Sequence, residues 1–288
     1  MKTIKNILVP VDYSNNSKAA FEYAVAMGKD LGAETIKVLF VHYDYAINAP
    51  LAEPPIILPS KSREELTEDL QKFVADETYE LSDIILKSKI NITTEVAFGM
   101  PHHTIVLYSE TGHYDLVVVG KAGETNLDTV WFGSTATEVS QKSACPILLI
   151  PAQTIYKGVK EMIYACDFDH KSPKHIEVVA DIAKALHTDV ELVYVKIKED
   201  DESRFMADVN SMYSIFKESA PLLSFTVHAV EADSVVEGIN EFAKKVEADF
   251  ITIVTKHRSF WQRLIHSSMT KKLVMYAELP ILVIHVED

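Results

Sequence analysis

YDLVVVGKAGETNLDTVWFGST, residues Tyr114 to Thr135, decides how this chain folds. Leu116 to Val119 is apolar without a break, the mark of a strand covered on both faces. ATEVSQKSA, from Ala136 to Ala144, reads as a helix. Between them lie three of the chain's nine glycines, Gly120, Gly123 and Gly133. Strand, glycine-rich connection and helix in that order form the unit of an α/β sheet.

The unit occurs twice. Tyr114 to Val119 (YDLVVV) resembles Ala248 to Ile253 (ADFITI), and the same offset of 134 residues carries Pro146–Ile150 onto Pro280–Ile284 and Ile92–Val96 onto Thr226–Val230. Near the start of each half the offset is 155, taking Ile7–Asp12 onto Met162–Asp167, and 154 for Val41 and Val195. The halves share one plan, and the first holds about 20 extra residues between positions 42 and 90. NAPLAEPPIILPS (48–60) is the expected place for them, because four of the chain's eleven prolines fall there. A duplication keeps such offsets; two unrelated domains do not.

Each half is expected to alternate five strands with helices, the first half's strands lying near 4–11, 35–42, 91–98, 115–119 and 146–150. Ala20, Tyr23, Ala24, Met27 and Leu31 recur at helical spacing, Gly32 offers a left-handed stop, and Ser14 or Ser17 an N-cap. The expectation is an α/β fold of two tandem open, mostly parallel five-stranded sheets with helices on both faces, divided as residues 1–152 and 153–288. Ligands of such sheets bind beyond the carboxyl ends of the strands, where the winding reverses. The last strands, PILLI and PILVIHV, are short, apolar and set at sheet edges, which invites them to pair.

The bulk properties narrow the function. A net charge of −14 repels nucleic acid and anionic membrane surfaces. No run of about 18 apolar residues suggests a membrane span, and MKTIKNILVPVDYS does not read as a leader, so a cytoplasmic protein is expected. Cys145 and Cys166 read as buried reduced thiols. With basic side chains scarce, an anionic ligand must be held by backbone amides and a helix end. Gly120 and Gly123 let main chain come close, and Gly133-Ser134-Thr135 opens a helix whose first amides and hydroxyls favour an anion. The loop is neither a Walker loop nor the G-x-G-x-x-G dinucleotide turn.

The spacing G-x2-G-x9-G-[ST] after a fourth strand, the opening KNILVPVDYS and the S-x-C-P-I-L-L-I-P at Ser143–Pro151 resemble the universal stress protein family, over nearly the whole chain as two tandem domains. The resemblance implies a Rossmann-type fold of the adenine nucleotide alpha hydrolase kind. It also implies a site for ATP accompanied by Mg2+, in which Asp12 and Val41 contact the adenosine portion. Gly120, Gly123, Gly133, Ser134 and Thr135 would surround ribose and phosphates. In the family the last strands associate across a two-fold axis; here the two halves are expected to form that pair inside one chain, and whether two chains assemble further is left open. At the same offset the second half has Val254, His257, Ser267 and Met269 in place of Gly120, Gly123, Gly133 and Thr135, which denies it that backbone path.

The remaining candidates are weaker. Lys121 either neutralises a phosphate or stands solvated. His102 and His103 are adjacent at a helix start and point apart, a poor arrangement for one metal. Trp131 and Trp261 are expected over apolar core, Lys256-His257-Arg258 as a basic surface, and Glu64, Glu65, Glu68 and Asp69 as an exposed helix face. No nucleophile–base pair emerges, so no catalytic residue is assigned. The leading expectation is an ATP-binding stress-response protein acting through a protein partner. A slow nucleotide hydrolase or nucleotidyl-transfer relative, and a scaffold for which nucleotide is incidental, are the alternatives.

Overall fold

The computed structural model describes residues 4–43, 61–121, 134–165, 173–197, 202–256 and 279–286. The first half runs β1 (Asn6–Val11), α1 (Asn15–Leu31), β2 (Thr35–His42), α2 (Arg63–Glu80), α3 (Ser82–Ser88), β3 (Asn91–Phe98), α4 (Pro101–Thr111), β4 (Leu116–Gly120), α5 (Ser134–Lys142) and β5 (Ile147–Ile150). The second runs β6 (Glu161–Ala165), α6 (Pro173–Leu186), β7 (Asp189–Ile197), α7 (Glu202–Ser219), β8 (Phe225–Ala232), α8 (Val235–Lys245), β9 (Phe250–Lys256) and β10 (Ile281–Val286). The five strands of the first half start and end within two residues of where the sequence put them.

The two five-stranded sets join into one sheet, ordered β3-β2-β1-β4-β5-β10-β9-β6-β7-β8. Neighbours are parallel except at the centre, where β5 and β10 run antiparallel with Leu148 opposite Leu282. The short apolar strands that would otherwise be sheet edges thus satisfy one another. In the first half the winding reverses between β1 and β4, which pair through Ile7–Leu116 and Leu8–Val117.

Strand periodicity divides the core into two layers. Ile7, Val9 and Val11 point to a face covered by α1, α2, α6 and α7, whereas Leu8 points to a face covered by α4, α5 and α8. Helix α1 follows its expected pattern: Ala20, Tyr23, Ala24, Met27 and Leu31 are buried. The Ser14 side chain caps its start, and Gly32 ends it in left-handed conformation, φ 70°. Among the described residues no helix is long and apolar enough to cross a membrane.

The duplication is visible as one repeated hydrogen-bond device. Asp115, just before β4, accepts through Oδ2 from the Lys5 and Asn6 amides at 2.9 and 3.0 Å. Asp249, its counterpart before β9, accepts from Lys160 and Glu161 at 2.6 and 3.1 Å. Each carboxylate satisfies main-chain donors where an interior strand begins, fixing its register beside the next. The extra length of the first half is only partly the proline-rich 48–60, which lies outside the described residues. Part of it is α3, a seven-residue helix with no counterpart among the described residues between β7 and β8. Its Leu86 is 77% exposed, and a helix so short gives little periodic signal in sequence.

Asp115→Ala should lower stability by about 2 kcal/mol, since it strands two amides at the head of a central strand. Urea unfolding is the check, and Asp249→Ala should cost a similar amount; a loss below about 0.5 kcal/mol would contradict this role.

Candidate functional site

At the carboxyl end of β1 the chain turns sharply into α1, and a short hydrogen-bond network fixes the turn. The Asp12 carboxylate accepts through Oδ1 from the Ser14 amide at 3.1 Å and the Ser14 hydroxyl at 2.5 Å. The Asp12 amide donates to Ser17 Oγ at 3.3 Å, and the buried Ser17 hydroxyl donates to the Ser14 carbonyl at 3.0 Å. Asp12 itself is exposed. Between Asp12 and Ser14, Tyr13 takes a positive φ of 63°. Its ring lies against Phe40, and its phenol is pushed up to about 12 by burial and by the nearby charge of Asp69.

This turn walls a cleft of about 360 Å³ at the switch point between β1 and β4. Its apolar lining comes from Leu39 and Val41 of β2, Ile105 of α4, Val119 of β4 and Ala136 of α5. Its polar lining comes from Asp12, Ser14, Asn16, Ser17 and Thr135. Of the residues singled out in the sequence, Asp12, Val41, Gly120 and Thr135 come together here. Ser134 begins α5, while Gly123 and Gly133 lie outside the described residues, as do Trp131 and Trp261.

Gly120 is required for a reason the sequence did not reveal. Its φ is not positive, and a Cβ built on it would lie 2.4 Å from the Asn16 carbonyl oxygen and 2.9 Å from the Ser17 amide nitrogen. The first turn of α1 sits directly on it, which draws the α1 start and the ends of β1 and β4 around one space.

Three helices present their N-terminal residues to that space: Ser14, Asn16 and Ser17 of α1, Pro101 of α4, and Thr135 and Ala136 of α5. None of the three has an acidic residue in its first turn, and neither does α6 of the second half, whereas α2, α3, α7 and α8 each have at least one. No side chain caps α4. First-turn amides have no acceptor within their own helix, and with the converging dipoles they make the cleft attractive to an anion without cationic side chains, although in α1 the Ser17 amide is already held by Ser14 Oγ at 3.2 Å. Sequence reading found only α5 of these; the missed signal was the pattern of acid-free helix starts. Among the described residues no three His, Cys, Asp or Glu side chains gather as a metal cage. His102 and His103 have ring centroids 4.6 Å apart, edge to face.

Lys121 is neither solvated nor part of the cleft lining. It is 5% exposed, its amide donates to the Ile150 carbonyl at 2.7 Å, and burial lowers its ammonium to about 8. Cys145 is buried and in no disulfide, as expected, whereas Cys166 lies outside the described residues.

The second half builds its counterpart differently. Gly238 of α8 lies so close to β7 that a Cβ would meet Val195 Cγ1 at 2.7 Å, and Val195 stands where Val41 lines the first cleft. Ser234 caps α8, and Glu237 occupies its first turn. Val254, in place of Gly120, is buried in the core. His257, Ser267 and Met269 lie outside the described residues.

Comparison with known proteins bears on this geometry. The model of the universal stress protein family matches residues 3–151 and again 158–285. The universal stress protein MJ0531 of Methanocaldococcus jannaschii is 30% identical over 147 residues, 51% of this chain and 81% of its own. Universal stress protein YxiE of Bacillus subtilis is 26% identical over 144 residues, 50% of this chain and 97% of its own. Among solved structures, a universal stress protein from Archaeoglobus fulgidus superposes with a TM-score of 0.73 at 19% identity, covering 97% of this chain and 98% of that one, and thus shares the fold.

Two outcomes follow from the site's construction. Gly120→Ala should destabilise the ligand-free protein by about 1–3 kcal/mol, because main chain rather than a mobile side chain opposes the new methyl; urea unfolding without nucleotide is the measurement. Lys121 has a folded value lowered from 10.5 to about 8, so the unfolded chain holds the extra proton between those limits. Stability should therefore rise with pH through that window relative to Lys121→Met, by on the order of 2 kcal/mol, followed up to about pH 9.5 before tyrosines titrate.

Proposed function

Because the chain belongs to the universal stress protein family, its model matching both halves, we propose that the first half binds an adenine nucleotide, ATP foremost, in the cleft between β1 and β4. The two domains are residues 1–152 and 153–288, and the second carries no nucleotide. One observation carries the reading: Asp12, Val41, Gly120 and Thr135, chosen from widely separated sequence motifs, line a single cleft onto which three acid-free helix starts converge.

Each part of the lining suits a part of the ligand. The apolar wall of Leu39, Val41 and Ile105 accepts a flat base. Asp12 Oδ2 is available on an exposed carboxylate to receive sugar hydroxyls, with Oδ1 occupied by Ser14. The α5 start at Ser134 and Thr135, continuing the glycine stretch of Gly123 and Gly133, receives phosphates. Mg2+ enters on the phosphates and water, since it binds through few protein ligands and the described residues offer no cage.

No nucleophile or general base is assigned to the cleft, so the activity is binding: a cytoplasmic stress-response protein whose nucleotide state is read by a protein partner. Isothermal titration calorimetry with ATP should give one site per chain. Asp12→Asn, which keeps an acceptor for Ser14, should weaken binding about tenfold, the worth of one charge-assisted hydrogen bond. Gly123→Val should abolish it. Equal heats from all three proteins, or two sites per chain, would overturn the assignment.

A further inference from the structure

Tyr13 holds a left-handed backbone, φ 63°, although it carries a large side chain. That conformation is uncommon outside glycine and persists where the surroundings hold it in place. Two sets of contacts do so here. Asp12 bridges over Tyr13 through its two hydrogen bonds to Ser14. On the other side the Tyr13 ring stacks on Phe40 of β2, with centroids 4.8 Å apart and planes inclined by 27°. The same ring meets Phe73 of α2 edge-on at 5.3 Å, and Phe73 in turn lies 6.4 Å from the ring of Phe21 in α1.

These contacts connect two places that are otherwise separate. Asp12 lines the cleft, and so does Val41, the residue after Phe40; no residue of α2 does. The backbone of residue 13 sets the direction of its Cα–Cβ bond, and so where its ring can reach. Rotating residue 13 out of its left-handed state swings the ring off Phe73 and turns the Asp12 carboxylate away from Ser14. Nothing in the cap itself demands this, since Ser14 caps α1 through its own hydroxyl.

We propose that Tyr13 couples the cleft to α2: nucleotide held by Asp12 fixes the Tyr13 turn, and the clamped ring then holds α2 against Phe40 and Phe21. The coupling is reciprocal, so a docked α2 also keeps Asp12 aimed into the cleft. Helix α2 has an outer face of Glu64, Glu65, Glu68 and Asp69, all exposed, and this is the surface whose order reports occupancy. The inference rests on the nucleotide reading of the cleft.

Hydrogen exchange read by mass spectrometry, with and without saturating ATP, tests it in the full chain. In the wild type, ATP should slow exchange across Arg63–Glu80 by about fivefold or more, an ordinary coupling. Tyr13→Gly adopts the same φ without a side-chain penalty, so the turn survives and only the ring is lost. That variant should bind ATP about fivefold more weakly and, once saturated, show no slowing in α2. Should Tyr13→Gly fail to bind, Phe73→Leu carries the test, because residue 13 is untouched. Wild-type affinity together with full slowing in Phe73→Leu would overturn the coupling. ATP binding without slowing in the wild type, or equal slowing in Tyr13→Gly, would overturn it as well. A wild type that takes up no ATP would instead sink the nucleotide reading, and the coupling with it.

Discussion

The site depends on one close approach, the first turn of α1 lying on Gly120. A carbonyl oxygen stands 2.4 Å from where a Cβ would be, so only glycine permits the contact. The contact brings the end of β1, with Asp12, against the end of β4, where the chain leaves for its glycine stretch. It also brings the first turn of α1 to one side of the switch point. The second half has Val254 at this position, buried among core residues, and so cannot seat a helix start in the same way.

That arrangement solves a problem of charge. A protein at −14 has few cations to devote to an anion, yet the cleft is surrounded by the positive ends of three helices. What keeps their fields useful is the exclusion of carboxylates from their first turns, where α2, α3, α7 and α8 carry them and only α6 among the other described helices does not. Helix α8, the repeat of α4, shows the contrary state: Ser234 caps it, Glu237 neutralises it, and Gly238 lets it settle onto Val195. The two halves thus diverge through helix starts as well as through loop glycines.

Much of the fold was legible because long apolar strands and a repeat offset report burial and pairing directly. The Gly32 stop and the Ser14 cap follow from local residue chemistry, and the meeting of β5 and β10 from two short apolar edge strands together with the pairing that the family resemblance implies. Other features were not legible, each for a physical reason. Helix α3 is too short for periodicity to reveal. Gly120 looked like a concession to a ligand, because sequence cannot distinguish approach by a ligand from approach by the protein's own helix. Lys121 gave no sign of burial, which depends on neighbours distant in sequence. The left-handed Tyr13 was invisible for a similar reason: tertiary contacts with Phe40 and Phe73 override its local preference.

The central claim is that main chain at helix starts, in the first half alone, holds the phosphates. Backbone amide shifts recorded by 15N NMR during titration with ATP test it most directly. The account predicts large shifts at Asn16, His102, Ser134 and Thr135, with the amides of Val235 to Glu237 unmoved. Shifts confined to the second half, or perturbation of lysine side chains while those four amides stay still, would contradict it.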